Sequence, residues 1–170
     1  MNTVIENMKT RRSVRAFDPD RMPERSLIEA VAEAGTYAPT GRGAQSPLIV
    51  AVTSKAVRDR LSELNAAVMG TEADPFYGAP VVLVVLADRT RPTYLYDGSL
   101  VMGNLMNAAH SCWIHRAREV FDSEEGKAML RAWGIEGDYE GIGHCVLGYP
   151  REGAVREAAP RKDDYVRFVE

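Results

Sequence analysis

The first part of the chain carries apolar residues at helical spacing, beginning just after a possible helix cap. These apolar positions are Leu27, Ile28, Val31 and Ala34. Ser26 and Glu29 form an S-x-x-E capping box, in which each side chain accepts a hydrogen bond from a free amide of the first turn. We therefore expect a helix that begins at Ser26 and ends near Gly35 and Pro39.

Two apolar segments with strand character follow, separated by a second helix. Residues 48–53 are short, apolar and rich in β-branched side chains, which predicts a buried strand. A helix from Ser54 carries one apolar face, made by Val57, Leu61, Leu64 and Val68. Residues 78–88, GAPVVLVVLAD, are hydrophobic at successive positions, which is typical of a central strand covered on both faces.

The second half of the chain predicts two more helices and a third strand. Residues 97–110, DGSLVMGNLMNAAH, are apolar nearly all round, so we expect a central helix buried by its neighbours, with Asp97 as N-cap. Ser123 opens another helix, which Gly134 closes. Residues 144–149 form a strand that Pro150 stops. This order of elements predicts a mixed β-sheet flanked by helices.

The last twenty residues are polar and rich in alanine, and they end in the strand-like alternation YVRFV. Such a segment buries little surface against its own domain. Two interpretations stay open: the segment adds a strand to the sheet of a partner subunit, or it is a frayed terminus.

Composition narrows the function classes. The 170 residues form one domain, residues 1–170, with 45% hydrophobic and 26% charged residues, typical of a globular protein. A net charge of −3 argues against nucleic acid as a partner, because such binding needs many cationic contacts. Neither a signal peptide nor an apolar run of membrane-spanning length is evident, so we expect a cytoplasmic protein without a membrane partner. Cys112 and Cys145 are isolated and predict buried free thiols.

The segment RRSVRAF concentrates positive charge near the start of this acidic chain. It places Arg11, Arg12 and Arg15 around the hydroxyl of Ser13, a donor set that suits a small phosphate. A second basic pair, beginning at Arg161, lies in the C-terminal segment and could enclose the same anion. The alternative is a solvated basic patch.

Three other segments carry candidate chemistry. The loop APTGRGAQSP, residues 38–47, is either a plain connector or a ligand-binding loop. In SCWIHRA, residues 111–117, an apolar surface beside polar donors suits a planar heteroaromatic ligand, although a tryptophan capping the core fits equally well. A zinc site is disfavoured because His144 and Cys145 are adjacent and point to opposite faces of a strand. Dinucleotide, P-loop and nucleophile-elbow motifs are absent from the sequence.

Seven segments in order, RRSVRAF, APTGRGAQSP, PFYGAPVVLVVLAD, YDGSLVMGNLMNAA, SCWIHRA, YEGIGHCVLGYP and PRKDDYV, resemble the flavin-dependent nitroreductase family. The chain is most similar to the short, single-domain bacterial members. The resemblance implies an α+β fold and an intertwined homodimer with exchange of C-terminal strands. It also implies FMN at each interface and NADH or NADPH as electron donor. Hydride would reach small electron-poor acceptors, such as nitroaromatics or quinones, by a ping-pong scheme.

The resemblance also implies roles for individual residues. The phosphate and ribityl chain would be held by Arg11, Arg12 and Ser13, together with Arg161 from the C-terminal segment. The loop contributed by the partner subunit would be Pro39, Thr40, Gly41 and Gln45. The residues beside the ring and N5 would be Trp113, Ile114, His115 and Arg116. Arg15 would approach N1 and O2, and Asn65 the pyrimidine edge. The flavin N5 carries the chemistry in this family, so neither a catalytic side chain nor a metal is expected.

The sequence departs from the family pattern in two places. Ala159 replaces the lysine of the C-terminal K-x-R pair, and about four residues, one helical turn, are missing between Ala109 and Cys112. Two alternatives to the reductase stay open, a specialised flavin enzyme such as a dehalogenase and a non-catalytic flavin-binding module. A dehalogenase would need a lid, for which residues 70–78, with Phe76 or Tyr77 at the acceptor, are the candidate.

Overall fold

The computed structural model of the protein describes residues 2–169, and these build helices on both faces of one sheet. The strands are β1 (Leu48–Val52), β2 (Val81–Asp88), β3 (Cys112–Ile114) and β4 (Tyr139–Leu147). Their order is β1-β2-β4-β3, and every neighbouring pair is antiparallel. The fold is α+β as expected, but the prediction of a mixed sheet is wrong for the described strands.

Within residues 2–169, six α-helices surround the sheet. They are α1 (Thr3–Thr10), α2 (Arg25–Thr36), α3 (Lys55–Met69), α4 (Tyr94–Ala109), α5 (Ala117–Asp122) and α6 (Glu124–Ala132). Helices α2 and α4 pack on one face of the sheet, and α3 and α5 pack on the other. Among residues 2–169, no helix has both the length and the apolar character needed to cross a bilayer.

Strand β2 lies at the centre of both hydrophobic layers, as its pattern predicts. Val81, Leu83 and Val85 pack with α2 and α4, whereas the alternate residues face α3 and α5. All of these side chains are fully buried. The continuous apolar run therefore reflects burial on both faces of the sheet.

The antiparallel pairing of β1 with β2 depends on the loop between α3 and β2. That loop folds back along α3 to its first turn, where Arg58 pairs with Asp74 and its Nε donates to the carbonyl of Ala79 over 3.0 Å. Strand β2 consequently starts beside the end of β1, with Val82 opposite Val52. A helix between two strands gave no sign of this reversal, which explains the wrong prediction of a mixed sheet.

The predicted cap of α2 is also wrong. Glu24, without a side-chain hydrogen bond, is the N-cap, and Ser26 lies inside the first turn. The carboxylate of Glu29 pairs instead with Arg25, whose Nε donates to it over 2.6 Å. The first turn is thus stabilised by an ion pair rather than by a capping box.

Helix α4 starts earlier than predicted and is less buried. Its N-cap is Thr93, and Asp97 lies within the first turn with its carboxylate buried. One side of the helix remains exposed in the single chain, where 73% of Tyr96 and 46% of Leu100 is accessible. Helix α4 therefore carries apolar residues on more of its circumference than the single chain buries.

The remaining predictions are mostly confirmed. Ser123 caps α6 by accepting a hydrogen bond from the amide of Gly126, and Gly134 follows the helix with a φ of 71°. Strand β4 begins five residues before the predicted start, and α1, β3 and α5 were not predicted. Residues 151–169 contain neither helix nor strand, and 89% of Phe168 is exposed. Exchange of this segment with a partner stays a prediction.

Candidate functional site

The basic segment lies against the start of β3. Arg11 is the C-cap of α1, and its guanidinium donates to the carbonyl of Ser111 over 3.3 Å and to the hydroxyl of Ser13 over 3.5 Å. Val14 and Phe17 are buried and anchor the segment in the core. The extended chain therefore presents Arg11, Ser13 and Arg15 at the surface beside β3.

Arg12 has a different environment from its neighbours. Its guanidinium donates to the carbonyls of Lys9 and Arg11, over 2.7 and 2.6 Å, at the end of α1. A cation that bonds the last carbonyls of a helix stabilises its C-terminus. The structure thus gives Arg12 a capping role, and its contact with a phosphate stays a prediction.

Strand β3 presents one side chain of its three to solvent. Cys112 and Ile114 are buried, while 38% of Trp113 is exposed. The indole lies directly over Gly143 of β4, where an added Cβ would come within 2.1 Å of Nε1. Only glycine leaves room for this packing, which fixes a flat aromatic surface beside the basic segment.

The two residues after β3 are polar and exposed. Arg116 adopts a left-handed conformation, with a φ of 75°, and its guanidinium donates to Glu119 over 2.8 Å. His115 precedes it at the surface. The Ile114 side chain is in the core, so only its backbone is free to border a ligand.

The connection between α4 and β3 is tight but well bonded. His110 closes α4 in a left-handed conformation, and its Nε2 lies 3.0 Å from the Oδ1 of Asn7. The Asn7 amide donates to the carbonyl of Asn107 over 2.9 Å. Through these contacts α1 is held against the end of α4, and Arg11 therefore reaches Ser111.

Asn65 lies in α3, which packs against α5 just beyond Arg116. Its side chain is fully buried, and its Oδ1 has no hydrogen-bond partner. Its Nδ2 contacts only the sulfur of Met69, at 3.9 Å. A buried amide oxygen without a donor costs free energy, so a missing donor is expected nearby.

The loop predicted to come from a partner subunit lies elsewhere in the chain. The amide of Gln45 donates to the hydroxyl of Thr40, and the amide of Gly41 donates to Asp97, over 3.0 and 2.9 Å. Pro39 is exposed on this loop. The loop is therefore fixed to the first turn of α4, whereas Arg11 is fixed just beyond its last turn.

The length of α4 separates these two groups of predicted site residues. Asp97 and Ser111 are 14 positions apart, which corresponds to about 20 Å along a helix. Within one chain, residues 39–45 and residues 11–15 therefore do not border the same ligand. Arg161 joins neither group, because its exposed side chain has no partner among residues 2–169.

Two cationic residues near the site were missed in the sequence. Arg151 and Arg156 line one cavity together with Ser13 and Arg15. The signal was the charged stretch REGAVR directly after β4. Its position opposite the N-terminal segment depends on strand pairing, which residue types alone do not specify.

The two cysteines are buried thiols, as predicted. The hydroxyl of Ser111 lies 2.9 Å from the sulfur of Cys145, and burial raises the pKa of that thiol to about 12. Burial also raises the pKa of Cys112, although Arg15 and Arg11 partly offset this effect. His144 faces the opposite hydrophobic layer between aromatic rings. In the described part of the chain, no three His, Cys, Asp or Glu side chains are grouped to hold a metal.

Residues 70–78 do not have the features of a lid. Phe76 is fully buried, with its ring centroid 5.3 Å from that of His144. The Asp74 carboxylate accepts hydrogen bonds from Arg58, Ser62 and two amides of its own loop. Of the two lid candidates, Phe76 belongs to the core, and these contacts agree with the alternative interpretation of residues 70–78 as an ordinary loop.

The fold of the chain is similar to that of several solved structures. A solved nitroreductase with bound FMN from Bacteroides fragilis NCTC 9343 is 27% identical, with a TM-score of 0.89 and full coverage of both chains. A nitroreductase with bound FMN from Desulfitobacterium hafniense DCB-2 is 23% identical, with a TM-score of 0.87 and full coverage of both. A putative NADH dehydrogenase/NAD(P)H nitroreductase from Bacteroides thetaiotaomicron VPI-5482 is 17% identical, with a TM-score of 0.77, and the match covers 99% of this chain and 98% of that one.

No curated protein matches the sequence of the chain. The family model described as the Nitroreductase family matches residues 8–160, which is most of the chain. This match agrees with the fold similarity and with the order of the sequence motifs. The chain therefore belongs to the nitroreductase family.

Proposed function

We propose that the protein is an FMN-dependent NAD(P)H oxidoreductase that reduces small electron-poor acceptors, such as nitroaromatics or quinones. The observation that carries this proposal is the position of the Arg11–Ser13 pair directly beside β3 and its exposed Trp113. Phosphate donors and a flat aromatic surface are thereby adjacent, which suits a phosphorylated planar cofactor.

The residues present fit FMN. Arg11 and Ser13 would bind its phosphate and ribityl chain, and Arg15 would place a fixed positive charge at N1 and O2. Such a charge favours the reduced, anionic ring electrostatically. Bound at these residues, FMN would supply the redox chemistry, which is hydride transfer from NADH or NADPH to the acceptor by a ping-pong scheme.

Asn65 supports the same assignment. Its buried Oδ1 lacks a hydrogen-bond donor, and the N3–H at the pyrimidine edge of a flavin is a donor of the right kind. Met69, whose sulfur contacts the Asn65 amide, is 41% exposed. Asn65 would therefore fix the ring orientation through a bond that the chain alone leaves unmade.

The proposed site needs a second copy of the chain. Residues 39–45 lie about 20 Å from residues 11–15 along α4, so one molecule cannot use both on one flavin. A twofold axis would bring the loop of one copy to the basic segment of the other. The exposed Tyr96 and Leu100 of α4 provide an apolar surface for this contact.

The C-terminal segment is proposed to complete the dimer. Tyr165 and Phe168 are almost entirely exposed in the single chain. Strand β1 is an edge strand, paired only with β2, and leaves one row of backbone groups available. We propose that the partner's segment adds to the sheet and covers these side chains.

Two buried free thiols support a reducing, cytoplasmic location.

An anaerobic titration tests the proposal. Protein loaded with FMN should be yellow, should be bleached by NADH or NADPH, and should regain its colour with a nitroaromatic or a quinone. A yellow protein that neither donor bleaches would instead be a flavin-binding module. A protein that takes up no FMN would overturn both functions, and a monomer that retains FMN in light scattering would overturn the shared site.

A further inference from the structure

A basic cavity of about 380 Å³ lies beside the proposed flavin site. The N-terminal segment forms one wall and the residues after β4 form the other. The polar and charged side chains among its lining residues are Ser13, Arg15, Arg151, Glu152 and Arg156. The lining residues after β4 fall between Arg151 and Arg156, and none of these belongs to the site that the family resemblance implies.

Backbone pairing creates this cavity. The amide of Asp18 donates to the carbonyl of Tyr149 over 2.9 Å. The amide of Arg151 donates to the carbonyl of Ala16 over 3.1 Å. Phe17 pairs antiparallel with Pro150 between these two bonds. Because the two segments run in opposite directions, the residues that follow Arg151 lie alongside those that precede Ala16.

Arg151 fixes the second wall. Its Nε donates to the carbonyl of Phe17 over 3.0 Å, in addition to its backbone bond. Arg156 follows one turn of loop later at the surface, and it makes no hydrogen bond or ion pair with residues 2–169. Arg15, across the cavity, is likewise without such a partner. Arg15 and Arg156 therefore line the same cavity, and neither has a hydrogen-bond or ion-pair partner among residues 2–169.

The charge balance of the cavity is positive. Three guanidiniums, of Arg15, Arg151 and Arg156, oppose the single carboxylate of Glu152, although the whole chain has a net charge of −3. Ser13 contributes a hydroxyl and is linked to Arg11 by a hydrogen bond. Guanidinium groups with a hydroxyl between them are the donor set that binds a phosphate monoester.

We propose that Arg156 is a phosphate-binding residue of the flavin site and supplies the cation that Ala159 does not provide. This inference rests on the proposed function. Arg151 positions the segment that carries Arg156, and Ser13 and Arg11 bind the same phosphate from the opposite wall.

Binding of FMN and of riboflavin, which differ only by the phosphate, tests this inference in the full-length protein. Quenching of flavin fluorescence gives both dissociation constants without any turnover. Arg156→Ala should weaken FMN binding about tenfold or more and leave riboflavin binding within about twofold, because a charged hydrogen bond to phosphate is lost. Arg131→Ala, which removes an exposed arginine on α6, is the matched control and should change neither constant.

Glu152→Gln gives a second measurement of opposite sign. Removing the only carboxylate of the cavity should tighten FMN binding about twofold to fivefold and leave riboflavin unchanged. The inference is overturned if Arg156→Ala behaves like Arg131→Ala, or if it weakens both flavins equally. It is also overturned if Glu152→Gln weakens FMN. Wild-type protein that binds neither flavin would overturn the proposed function itself.

Discussion

The ion pair between Arg58 and Asp74 should control the stability of the domain, because it holds the loop that sets the direction of β2. The Asp74 carboxylate accepts bonds from Arg58, from the hydroxyl of Ser62 and from the amides of Phe76 and Gly78. Burial alone would raise the pKa of Asp74, but these donors outweigh burial and hold it below its ordinary value. The substitution to make is Asp74→Ala.

The expected loss follows from what the substitution leaves behind. The side chain of Arg58 is only 11% exposed and would lose its main counter-charge, and two loop amides would lose their acceptor. Breaking a buried ion pair costs about 3–5 kcal/mol. Asp74 is one-third exposed, so water can replace part of the bonding, and we expect about 2–3 kcal/mol. For a chain of this size the thermal midpoint should fall by about 5–10 °C.

Urea unfolding and thermal melting of Asp74→Ala, side by side with Asp59→Ala, provide the assay. Asp59 also contacts Arg58, at 3.3 Å, but it is exposed at the surface, so its loss should cost less than about 1 kcal/mol. Equal losses in the two variants would refute the assignment of the loop anchor to Asp74. The Asp74 contribution should be complete above pH 3.8 and disappear as the pH falls through its lower folded pKa.

Three further predictions test the site and the core. Arg11→Ala should release FMN on dilution more readily than Arg42→Ala, and equal retention would contradict the phosphate assignment. Bound FMN should quench the fluorescence of Trp113 more strongly than that of Trp133, so Trp113→Phe should reduce the quenching of the remaining emission, and a quenched fraction equal to that of the wild type would place the ring elsewhere. Burial lowers the pKa of His144 from 6.5 to about 3, so stability should fall as the pH drops below 6.5. In His144→Leu the urea midpoint should change less between pH 6 and pH 4 than in the wild type. An equal change of the midpoint with pH in both proteins would refute this.

The elements that sequence patterns predicted well are those whose signals are local. Strand β2 is hydrophobic from Val81 to Ala87 because both faces are covered, and helix α6 carries a serine cap and a glycine stop. Both signals come from residues within the element itself and do not depend on how distant parts of the chain pack. Strand β3 has no such signal. Its three residues become a strand only because Trp113 and its neighbours pair with β4 around Cys145.

The predictions that failed concern side chains whose partner is either distant in sequence or a neighbour that competes with the predicted one. Ser26 and Glu29 have the spacing of a capping box, but Arg25 pairs with Glu29 and the helix starts earlier. Asp97 resembles an N-cap, but its carboxylate bonds Gly41, 56 positions away, as well as Thr93. In each case the residue type was informative about its chemistry and uninformative about its partner.

The same distinction between local and distant signals applies to the residues of the candidate site. The motif RRSVR indicated a phosphate because its donors are consecutive, and the structure brings Arg11 and Ser13 together. The sequence could not indicate Arg156, because its place in the cavity depends on the pairing of Phe17 with Pro150. The sequence therefore shows basic residues near each end of the chain, but only the structure shows which of them line the same cavity.

Helix α4 determines why the proposed site must be shared between two molecules. Its first turn holds the loop at Gly41 through Asp97, and the connection after its last turn accepts the bond from Arg11 through Ser111. A rigid helix of 16 residues thus sets the distance between the two half-sites at about 20 Å in every copy. In a twofold dimer both sites depend on this one length. Shortening α4 by a turn would shift each loop by about 5 Å relative to the basic segment and would disrupt both sites together.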